Sequence, residues 1–428
     1  MLVHLKTLGC RLNEAELETW AQAFQQHGHA ITDNAHAAHI IVLNSCAVTQ
    51  DAARKSRNLI RRLHRENPQA KLVVSGCYAT LNEDEAANLL GVDLIVSNKD
   101  KNQLVEKVLA ELNMATMPSF ATEPAQTSLF TRGRQRAFVK VQDGCRYRCT
   151  FCIVTVARGE EQSRAIADII EEINNLNAQG INEIILTGVH LGGYGSDLDT
   201  NLVSLIKAIL NETTISRLRL GSLEPWEFND EFFELFMNTR LMPHLHLPLQ
   251  SGSDSVLRRM ARRCKSQEFA DIVQRLRAAN PDINITTDII VGFPSESEEE
   301  WRESFEFIKT IGFGHLHIFT YSKREGTKAA SLPNQINGDI KKQRSQQLHQ
   351  LADTMKHQFF AENIGKEFSV LWEGYTEQLE NNQQRVFGYT PNYLRVGCVI
   401  NNDESLENQI TQCRLIAVAD GYIIGEQI

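Results

Sequence analysis

The 428-residue sequence has no apolar run of about 18 residues, so it predicts no transmembrane helix. Its first ten residues, MLVHLKTLGC, also lack the basic and then apolar pattern of a signal peptide. Nine cysteines are too few for a disulfide scaffold in a chain of this length. We therefore expect a cytoplasmic protein, in which spaced cysteines more often bind a metal or take part in catalysis.

Other absences restrict the function further. The sequence shows no repeat of fixed period and no low-complexity tract, while 42% hydrophobic residues suffice for packed cores. The formal net charge of −9 argues against a protein that coats nucleic acids unspecifically, although local basic patches remain. At about 100–200 residues per domain, the length predicts two to four domains.

Residues 1–115 alternate short β-branched runs with helical patterns, which predicts βαβ units around a parallel sheet. Three of the predicted strands end at or just before a cysteine, namely Cys10, Cys46 and Cys77. Because the carboxyl ends of parallel strands share one edge of a sheet, these cysteines are expected to converge. The alternative is three unrelated cysteines in the core.

The rest of the chain divides into three parts. Residues 116–132 are rich in Pro, Ser and Thr and predict a linker. Residues 133–364 contain six further β/α units, too few for a complete barrel, and predict a partial (β/α)6 barrel with its site at the carboxyl ends of the strands. Residues 365–428 show short strands and turns, which predicts a small antiparallel β-barrel. The expected fold class is therefore α/β with this β-barrel at the end.

The stretch GCRYRCTFCIV carries three cysteines, Cys145, Cys149 and Cys152, just after the first strand of the predicted barrel. Thiolates are soft ligands that suit zinc or iron–sulfur clusters. A structural zinc site needs a fourth cysteine or histidine at short spacing, and the next cysteine is Cys264. Electron carriers of the ferredoxin type also use four cysteines per cluster. The motif therefore favours a cluster with one open iron, with a zinc knuckle as the alternative.

This CxxxCxxC spacing after the first strand of a β/α barrel resembles the radical SAM superfamily. In that family the open iron binds the amino and carboxylate groups of S-adenosylmethionine, which is cleaved to methionine and a 5′-deoxyadenosyl radical. The resemblance implies that glycines at strand ends let the backbone approach this ligand and that a carboxylate accepts its ribose hydroxyls. The candidate contacts are Phe151, Gly188, Ser222, Glu224, Gln250 and Gly292.

Two groups of residues are predicted to have no part in this chemistry. The histidines in HLHLPLQ and GHLHIF alternate with apolar residues and are interpreted as one face of a strand rather than as ligands. Cys264, Cys398 and Cys413 are interpreted as ordinary thiols.

The chain resembles the radical SAM methylthiotransferases along essentially its whole length. Matching segments include TLGCRLNEAE, LNSCAVT, SGCYAT, DGCRYRCTFCIV and HLPLQSGSDSVLRRM, and FGYTPNYLRVG is similar to the core of the family's TRAM module. The resemblance assigns Cys10, Cys46 and Cys77 to an auxiliary 4Fe–4S cluster and Cys145, Cys149 and Cys152 to the radical SAM 4Fe–4S cluster. It implies insertion of a methylthio group at an unactivated C–H bond, with one S-adenosylmethionine as methyl donor and another as radical source.

Within the family, TLGCRLN, LTGVHLGGYG and RLGSLEP are most similar to the branch that modifies N6-threonylcarbamoyladenosine beside the tRNA anticodon. Other branches act on isopentenyladenosine at the same place or on an aspartate of a ribosomal protein. Thr155, Ser295, Lys323 and Glu325 depart from the family pattern without removing a cluster ligand. The alternative of a different class is a non-catalytic iron–sulfur electron carrier. The implied partners are tRNA and an external electron donor such as flavodoxin or ferredoxin. No association with a membrane is expected.

Local basic runs are candidates for contacts to the phosphates of an anticodon loop, with a solvated helix face as the alternative for each. The candidate RNA contacts are Arg54, Arg61, Arg132, Arg134, Arg136 and Arg324. Residues 365–428 carry four basic and nine acidic residues, which is unusual for a module that grips RNA. The candidate RNA contacts within this module are Tyr389, Tyr393 and Arg395.

Overall fold

The computed structural model describes residues 1–112, 135–380 and 382–428, so the predicted linker lies outside the described residues. The chain forms two compact units. The first contains the described residues of 1–129 together with 143–161 and 322–327, and the second contains those of 130–142, 162–321 and 328–428. The three-cysteine loop thus belongs to the same unit as the N-terminal cysteines. Among the described helices, none is both long and apolar enough to cross a membrane.

The first unit is built on a five-stranded parallel sheet with strand order β2-β1-β3-β4-β5, which confirms the predicted sheet. Its strands are β1 (Leu2–Thr7), β2 (Ala30–Ile31), β3 (Ile40–Ser45), β4 (Lys71–Gly76) and β5 (Val92–Val96). Its helices are α1 (Arg11–Gln26), α2 (Gln50–Glu66), α3 (Cys77–Leu81), α4 (Glu83–Ala87), α5 (Leu104–Glu111) and α6 (Val154–Arg158).

Strand β3 shows why this sheet is covered on both faces. All six of its residues are buried, and successive side chains of a strand point to opposite faces. Ile41 and Leu43 belong to the core cluster that contains the apolar face of α2. Ile40 and Val42 belong to a second cluster with α1 and α5. The strand is therefore apolar throughout, as expected for a parallel sheet between two helical layers.

The second unit contains six parallel strands that form two three-stranded sheets, with strand orders β10-β9-β6 and β11-β12-β13. Single bridges from Leu218 to Leu241 and from Ser222 to His246 join them, so the predicted partial barrel is confirmed. The strands of this region are β6 (Arg136–Lys140), β7 (Gln142–Asp143), β8 (Gln162–Ser163), β9 (Glu183–Thr187), β10 (Arg217–Leu220), β11 (His244–His246), β12 (Asn284–Val291) and β13 (His315–Thr320). The helices are α7 (Ile166–Ala178), α8 (Leu202–Glu212), α9 (Asp230–Leu235), α10 (Asp254–Arg259), α11 (Ser266–Ala279), α12 (Glu298–Ile311) and α13 (Gly338–Glu362).

The chain ends in a closed five-stranded β-barrel, as the sequence predicts. Its strands are β14 (Glu367–Gln378), β15 (Gln383–Tyr389), β16 (Arg395–Asn401), β17 (Ile410–Ala419) and β18 (Tyr422–Gln427), in the order β14-β15-β16-β18-β17. Trp372, Val396 and Leu415 are fully buried in its core, and Cys398 and Cys413 lie there as well.

The turn between β15 and β16, residues 389–394, contacts the first residues of several partial-barrel strands, and we call this turn the plug. The Tyr393 ring stacks on His244 with 4.8 Å between centroids. Arg136 donates to the Tyr393 hydroxyl at 3.2 Å, and Asn284 donates to the Asn392 carbonyl at 2.9 Å. The plug therefore closes the amino-terminal end of the partial barrel.

A buried charge cluster lies beside the plug. Glu183, the first residue of β9, is fully buried and accepts two hydrogen bonds from Arg219, at 3.1 and 3.2 Å. Arg219 also donates to the Pro391 carbonyl, and Arg217 donates to the Tyr389 carbonyl. Burial by itself would raise the pKa of Glu183, but the surrounding arginines lower it to about 2.

Candidate functional site

Cys10, Cys46 and Cys77 lie at the carboxyl edge of the first sheet. They follow β1, β3 and β4, which are neighbours in the sheet, so the parallel arrangement brings the three cysteines together. Burial raises the pKa of the Cys46 thiol to about 11, and the nearby Cys77 and Cys10 raise it further in the same direction. Thiols that raise each other's pKa ionise together more readily when a cation replaces their protons, as in a metal site.

A glycine directly precedes the first cysteine of each trio, and no other residue could replace it without strain. Gly9 precedes Cys10 with φ +111°, and a Cβ at this position would lie 2.8 Å from the Cys46 sulfur. Gly144 precedes Cys145 with φ +72°, and a Cβ there would lie 1.9 Å from the Glu160 carbonyl oxygen. The backbone at both positions therefore passes too close to its neighbours to carry a side chain.

Arg158, at the end of α6, lies beside the N-terminal cysteines. Its guanidinium donates to Asn13 at 2.8 Å and to Glu16 at 2.9 Å, and Asn13 in turn accepts from the Cys10 thiol. Burial would lower the pKa of Arg158, but the adjacent carboxylates and thiols raise it, so it stays charged. Lys101 reaches the same Glu16 carboxylate at 2.6 Å. A fixed positive charge beside the thiols favours their thiolate forms.

Cys145, Cys149 and Cys152 are half-buried in the loop that precedes α6. The Cys152 amide donates to the Cys149 carbonyl at 3.1 Å, and the Cys145 amide donates to the Gly159 carbonyl at 3.1 Å. Burial raises the pKa of Cys145 to about 12, and Cys152 and Cys149 act in the same direction. The loop therefore holds three interacting thiols, as the spacing predicts.

Glu161 is a site residue that the sequence analysis did not single out. Its carboxylate is among the groups that raise the pKa of Cys145, it accepts from the Arg146 amide at 3.2 Å, and its side chain is 5% exposed. The sequence feature that could have indicated Glu161 is the pair Glu160–Glu161 in the segment ARGEEQSR. This pair lies too far along the chain from Cys145 for a spacing rule to connect it with that cysteine.

Most of the residues predicted to contact S-adenosylmethionine lie at the carboxyl ends of partial-barrel strands. Gly188 follows β9, Ser222 follows β10 and Gly292 follows β12. Gln250 has φ +74°, and its backbone hydrogen-bonds to the Asp288 carbonyl. These four residues therefore share one end of the partial barrel, whereas Phe151 lies in the three-cysteine loop of the first unit.

Two of the predicted contacts for S-adenosylmethionine, Glu224 and Gly292, have neighbours that the sequence did not reveal. Glu224 is held by Arg262 through contacts of 2.5 and 3.1 Å, so part of its accepting capacity is already used. A Cβ on Gly292 would lie 2.5 Å from a side-chain carbon of Lys341, so that side chain covers the glycine.

The predicted RNA contacts divide into accessible and inaccessible residues. Arg54 and Arg61 are exposed on α2, and Arg324 donates to the Ala47 carbonyl. Arg136 is 10% exposed and lies near Glu183 and Glu373, so its guanidinium is engaged mainly within the protein. In the plug, Tyr389 and Tyr393 stack on each other and pack against the partial barrel, and Arg395 packs over Phe387. Arg132 and Arg134 lie outside the described residues.

Two grooves in the first unit carry positive charge. The first, of about 800 Å³, lies along α2, and we call it the α2 groove. Its basic lining consists of Lys6, Lys55, Arg61, Arg62, His64 and Arg65, and its described lining includes no carboxylate. The second, of about 830 Å³, we call the loop groove. It is lined by Arg54, Arg57, Lys323 and Arg324, by Ile153 directly after Cys152, and by two carboxylates, Asp51 and Glu325.

Two family models match the chain. Residues 2–97 match the uncharacterized protein family UPF0004, and residues 139–308 match the radical SAM superfamily. Among solved structures, the radical S-adenosylmethionine methyltransferase TsrM from Kitasatospora setae is similar, with a TM-score of 0.57, 15% identity and 77% of each chain covered. At this identity the likeness shows the fold alone.

Curated relatives match almost the full length. The threonylcarbamoyladenosine tRNA methylthiotransferase MtaB of Bacillus subtilis is 35% identical over 99% of this chain and 96% of its own length. The protein of the same name from Thermotoga maritima is 37% identical over 87% of each chain. The tRNA-2-methylthio-N(6)-dimethylallyladenosine synthase of Bacillus pumilus is 32% identical over 99% of this chain and 86% of its own length.

Proposed function

This chain belongs to the radical SAM tRNA methylthiotransferases, and from that premise we propose that its substrate is N6-threonylcarbamoyladenosine beside the tRNA anticodon. The product is the 2-methylthio derivative of that nucleoside. Membership of an enzyme family removes the non-catalytic electron carrier from the alternatives. The observation that supports this choice of substrate is the similarity to relatives named for threonylcarbamoyladenosine, at 32–37% identity over 87–99% of this chain, against 31–32% over 88–99% for relatives named for dimethylallyladenosine.

Mass spectrometry of tRNA nucleosides tests this substrate. In a strain lacking this chain we expect 2-methylthio-threonylcarbamoyladenosine to disappear and its precursor to accumulate. Re-expression of the chain should restore the modified nucleoside. Loss of the methylthio group from isopentenyladenosine instead would assign the chain to the other tRNA branch.

An enzyme of the radical SAM superfamily uses S-adenosylmethionine and a 4Fe–4S cluster. When bound, the cluster and S-adenosylmethionine supply the radical, and cofactors of this kind carry the chemistry that side chains cannot. Cys145, Cys149 and Cys152 fit the cluster because they are soft ligands whose thiols interact within one loop. Gly188, Ser222, Gln250 and Gly292 would position S-adenosylmethionine through the backbone at the strand ends of the second unit.

Cys10, Cys46 and Cys77 would hold a second 4Fe–4S cluster in the same compact unit. Their convergence on three adjacent strands supports this assignment, as does the fixed positive charge of Arg158, because a thiolate-ligated cluster carries negative charge. Glu16 and Lys101 would orient Arg158. Iron analysis after anaerobic reconstitution tests the assignment, since two clusters require about eight irons and one requires about four.

The two grooves would bind the RNA backbone. Phosphate contacts supply most of the unspecific affinity of proteins for nucleic acids, and the α2 groove presents six basic side chains without a carboxylate in its described lining. The loop groove reaches Ile153, next to Cys152, so RNA bound there would lie near the three-cysteine loop. Of the predicted RNA contacts, Arg61 lines the α2 groove, and Arg54 and Arg324 line the loop groove.

A further inference from the structure

The sheet formed by β11, β12 and β13 has one apolar and one polar face. On the apolar face, Leu245, Ile285, Ile289 and Leu316 are at most 4% exposed. Because side chains alternate along a strand, the residues between them point to the opposite face. The residues of that second face are His246, Thr286, Asp288, Ile290, His315, His317 and Phe319. We call this set the open face.

The polar groups of the open face are arranged in contact with one another. His246 Nε2 lies 3.1 Å from Asp288 Oδ1, and its Nδ1 lies 2.9 Å from the Thr286 hydroxyl. The His317 ring meets His246 edge-on at 5.2 Å between centroids, and His315 meets His317 at 4.8 Å. Each imidazole is therefore oriented, and the cluster presents both donors and acceptors.

Phe319 supplies a different kind of surface. It pairs with Ile290 in the strand register, two residues beyond His317 along β13, and 46% of it is exposed. An exposed aromatic ring beside oriented polar groups provides what a single unstacked base needs: a flat surface for stacking and hydrogen-bond partners for its edge.

The open face also lies among the strand-end residues of the proposed active site. Ser222 bridges to His246, and Gln250 hydrogen-bonds to the backbone on both sides of Ile289. A ligand on this face would therefore lie beside the predicted contacts for S-adenosylmethionine. The interpretation of these histidines as a strand face is structurally right, but that face is partly exposed rather than packed into the core.

We propose that the open face binds the target base after it leaves the anticodon stack, with Phe319 against the base and His246, Asp288 and His317 hydrogen-bonded to its polar N6 substituent. This inference rests on the proposed function, because it takes a threonylcarbamoyl group as the substituent. That group offers a hydroxyl, an amide and a carboxylate, which match the imidazoles and the carboxylate of the open face. A hydrocarbon substituent would offer these groups no hydrogen bond, and a site built for hydrogen bonds rejects such analogues strongly.

The test compares three anticodon stem-loop RNAs that carry threonylcarbamoyladenosine, isopentenyladenosine or plain adenosine at the target position. Reconstituted holoenzyme should bind the first RNA at least about tenfold more tightly than the other two, measured by fluorescence anisotropy. His246→Leu and His317→Phe should remove this preference, so that the three RNAs bind with similar affinities. Phe319→Ala should weaken binding of all three RNAs by about tenfold, since stacking does not depend on the substituent.

The matched control is His349→Leu, an exposed histidine on α13 in the same unit, which should change none of these affinities. If His246→Leu fails to fold, the exposed positions His317 and Phe319 carry the test. Retention of the wild-type preference by His317→Phe, together with unchanged affinities in Phe319→Ala, would overturn the inference. If the wild-type enzyme methylthiolates the threonylcarbamoyl RNA while the two variants give that result, only the open-face assignment fails; if it modifies no RNA, the proposed function fails.

Discussion

Arg158 Nη1 lies 2.9 Å from Glu16 Oε1, and both side chains are at most 3% exposed. Arg158 ends the short helix that follows the three-cysteine loop, and Glu16 lies on the helix that follows Cys10. This ion pair therefore connects the two cysteine trios within one compact unit. Asp143 lies 3.2 Å from Arg158, and Lys101 lies 2.6 Å from Glu16. The four side chains therefore form one largely buried network of charges.

We expect Arg158→Met to destabilise the protein by about 3–5 kcal/mol, because it leaves Glu16 and Asp143 buried with one cation fewer. The decrease would appear in thermal denaturation of the purified protein. Arg148→Met is the matched control, since its pair with Glu160 is largely exposed and should contribute less than about 1 kcal/mol. Equal effects of the two substitutions would contradict the importance of the buried network.

The proposed second cluster predicts that two activities can be separated by mutation. Cys46→Ala should reduce the iron content from about eight to about four per chain and abolish methylthiolation, while the reductive cleavage of S-adenosylmethionine continues. Cys264→Ala should change none of these quantities, because this thiol is buried in the second unit, whereas both trios belong to the first. Methylthio transfer by Cys46→Ala would rule out the proposed role of the N-terminal cysteines.

Gly9→Ala tests the packing of the N-terminal trio without removing a thiol. The added Cβ would collide with the Cys46 sulfur, so we expect iron content to fall toward that of Cys46→Ala. Gly28→Ala is the control, because Gly28 also has positive φ, +78°, but no atom lies within 4 Å of a Cβ there. Backbone strain alone costs about 1–2 kcal/mol and should leave the iron content intact. Equal iron loss in both variants would show that strain, rather than the collision, is responsible.

The α2 groove predicts an electrostatic effect on RNA binding. Arg61→Glu and Arg65→Glu should each weaken the affinity for tRNA and lower the salt dependence of log Kd by about one per lost phosphate contact. Arg302→Glu on α12 is the control, because Arg302 is exposed beside Glu298 and lies outside both grooves. Filter-binding titrations at several salt concentrations measure both quantities. An unchanged slope for the groove variants would exclude phosphate contacts there.

The Glu183 cluster predicts a pH-dependent contribution to stability. The pKa of Glu183 is lowered to about 2, so its ionised form stabilises the fold above the unfolded pKa of about 4.5. That contribution, about 3 kcal/mol, is lost as the pH falls from 4.5 toward 2. Glu183→Gln should therefore lower Tm at pH 7, and its difference from wild type should shrink in acid. Glu373→Gln, at a half-buried carboxylate near Arg136, should have a small effect at both pH values.

Much of the fold could be predicted because its causes are local. Strand β3 is buried throughout and ends just before Cys46, so its burial and the position of that cysteine follow from a few adjacent residues. The partial barrel and the C-terminal β-barrel follow from the same kind of pattern. Arg136 shows the limit, because a count of charges does not reveal that Glu183, 47 positions along the chain, lies beside it.

The same limit applies to the candidate site. His246 and Asp288 are 42 residues apart and meet only because β11 and β12 are parallel neighbours in a particular register. Alternation predicted the strand face correctly, but it could not show that the face is partly exposed. Membership of the compact units is likewise a property of three-dimensional contacts, so the grouping of the three-cysteine loop with residues 1–112 was not predictable from spacing.

The position of the plug has a consequence for biosynthesis. Residues 389–394 follow all six partial-barrel strands in the chain, yet Arg217, His244 and Asn284 find partners in this segment. Chains grow from the amino terminus, and early domains fold while later ones are still being made. The partial barrel therefore reaches its final form only after residues 389–394 have been synthesised, whereas the N-terminal sheet can form earlier. A nascent chain that stops before residue 389 would expose an unfinished barrel to proteases, even though it contains every strand of that barrel.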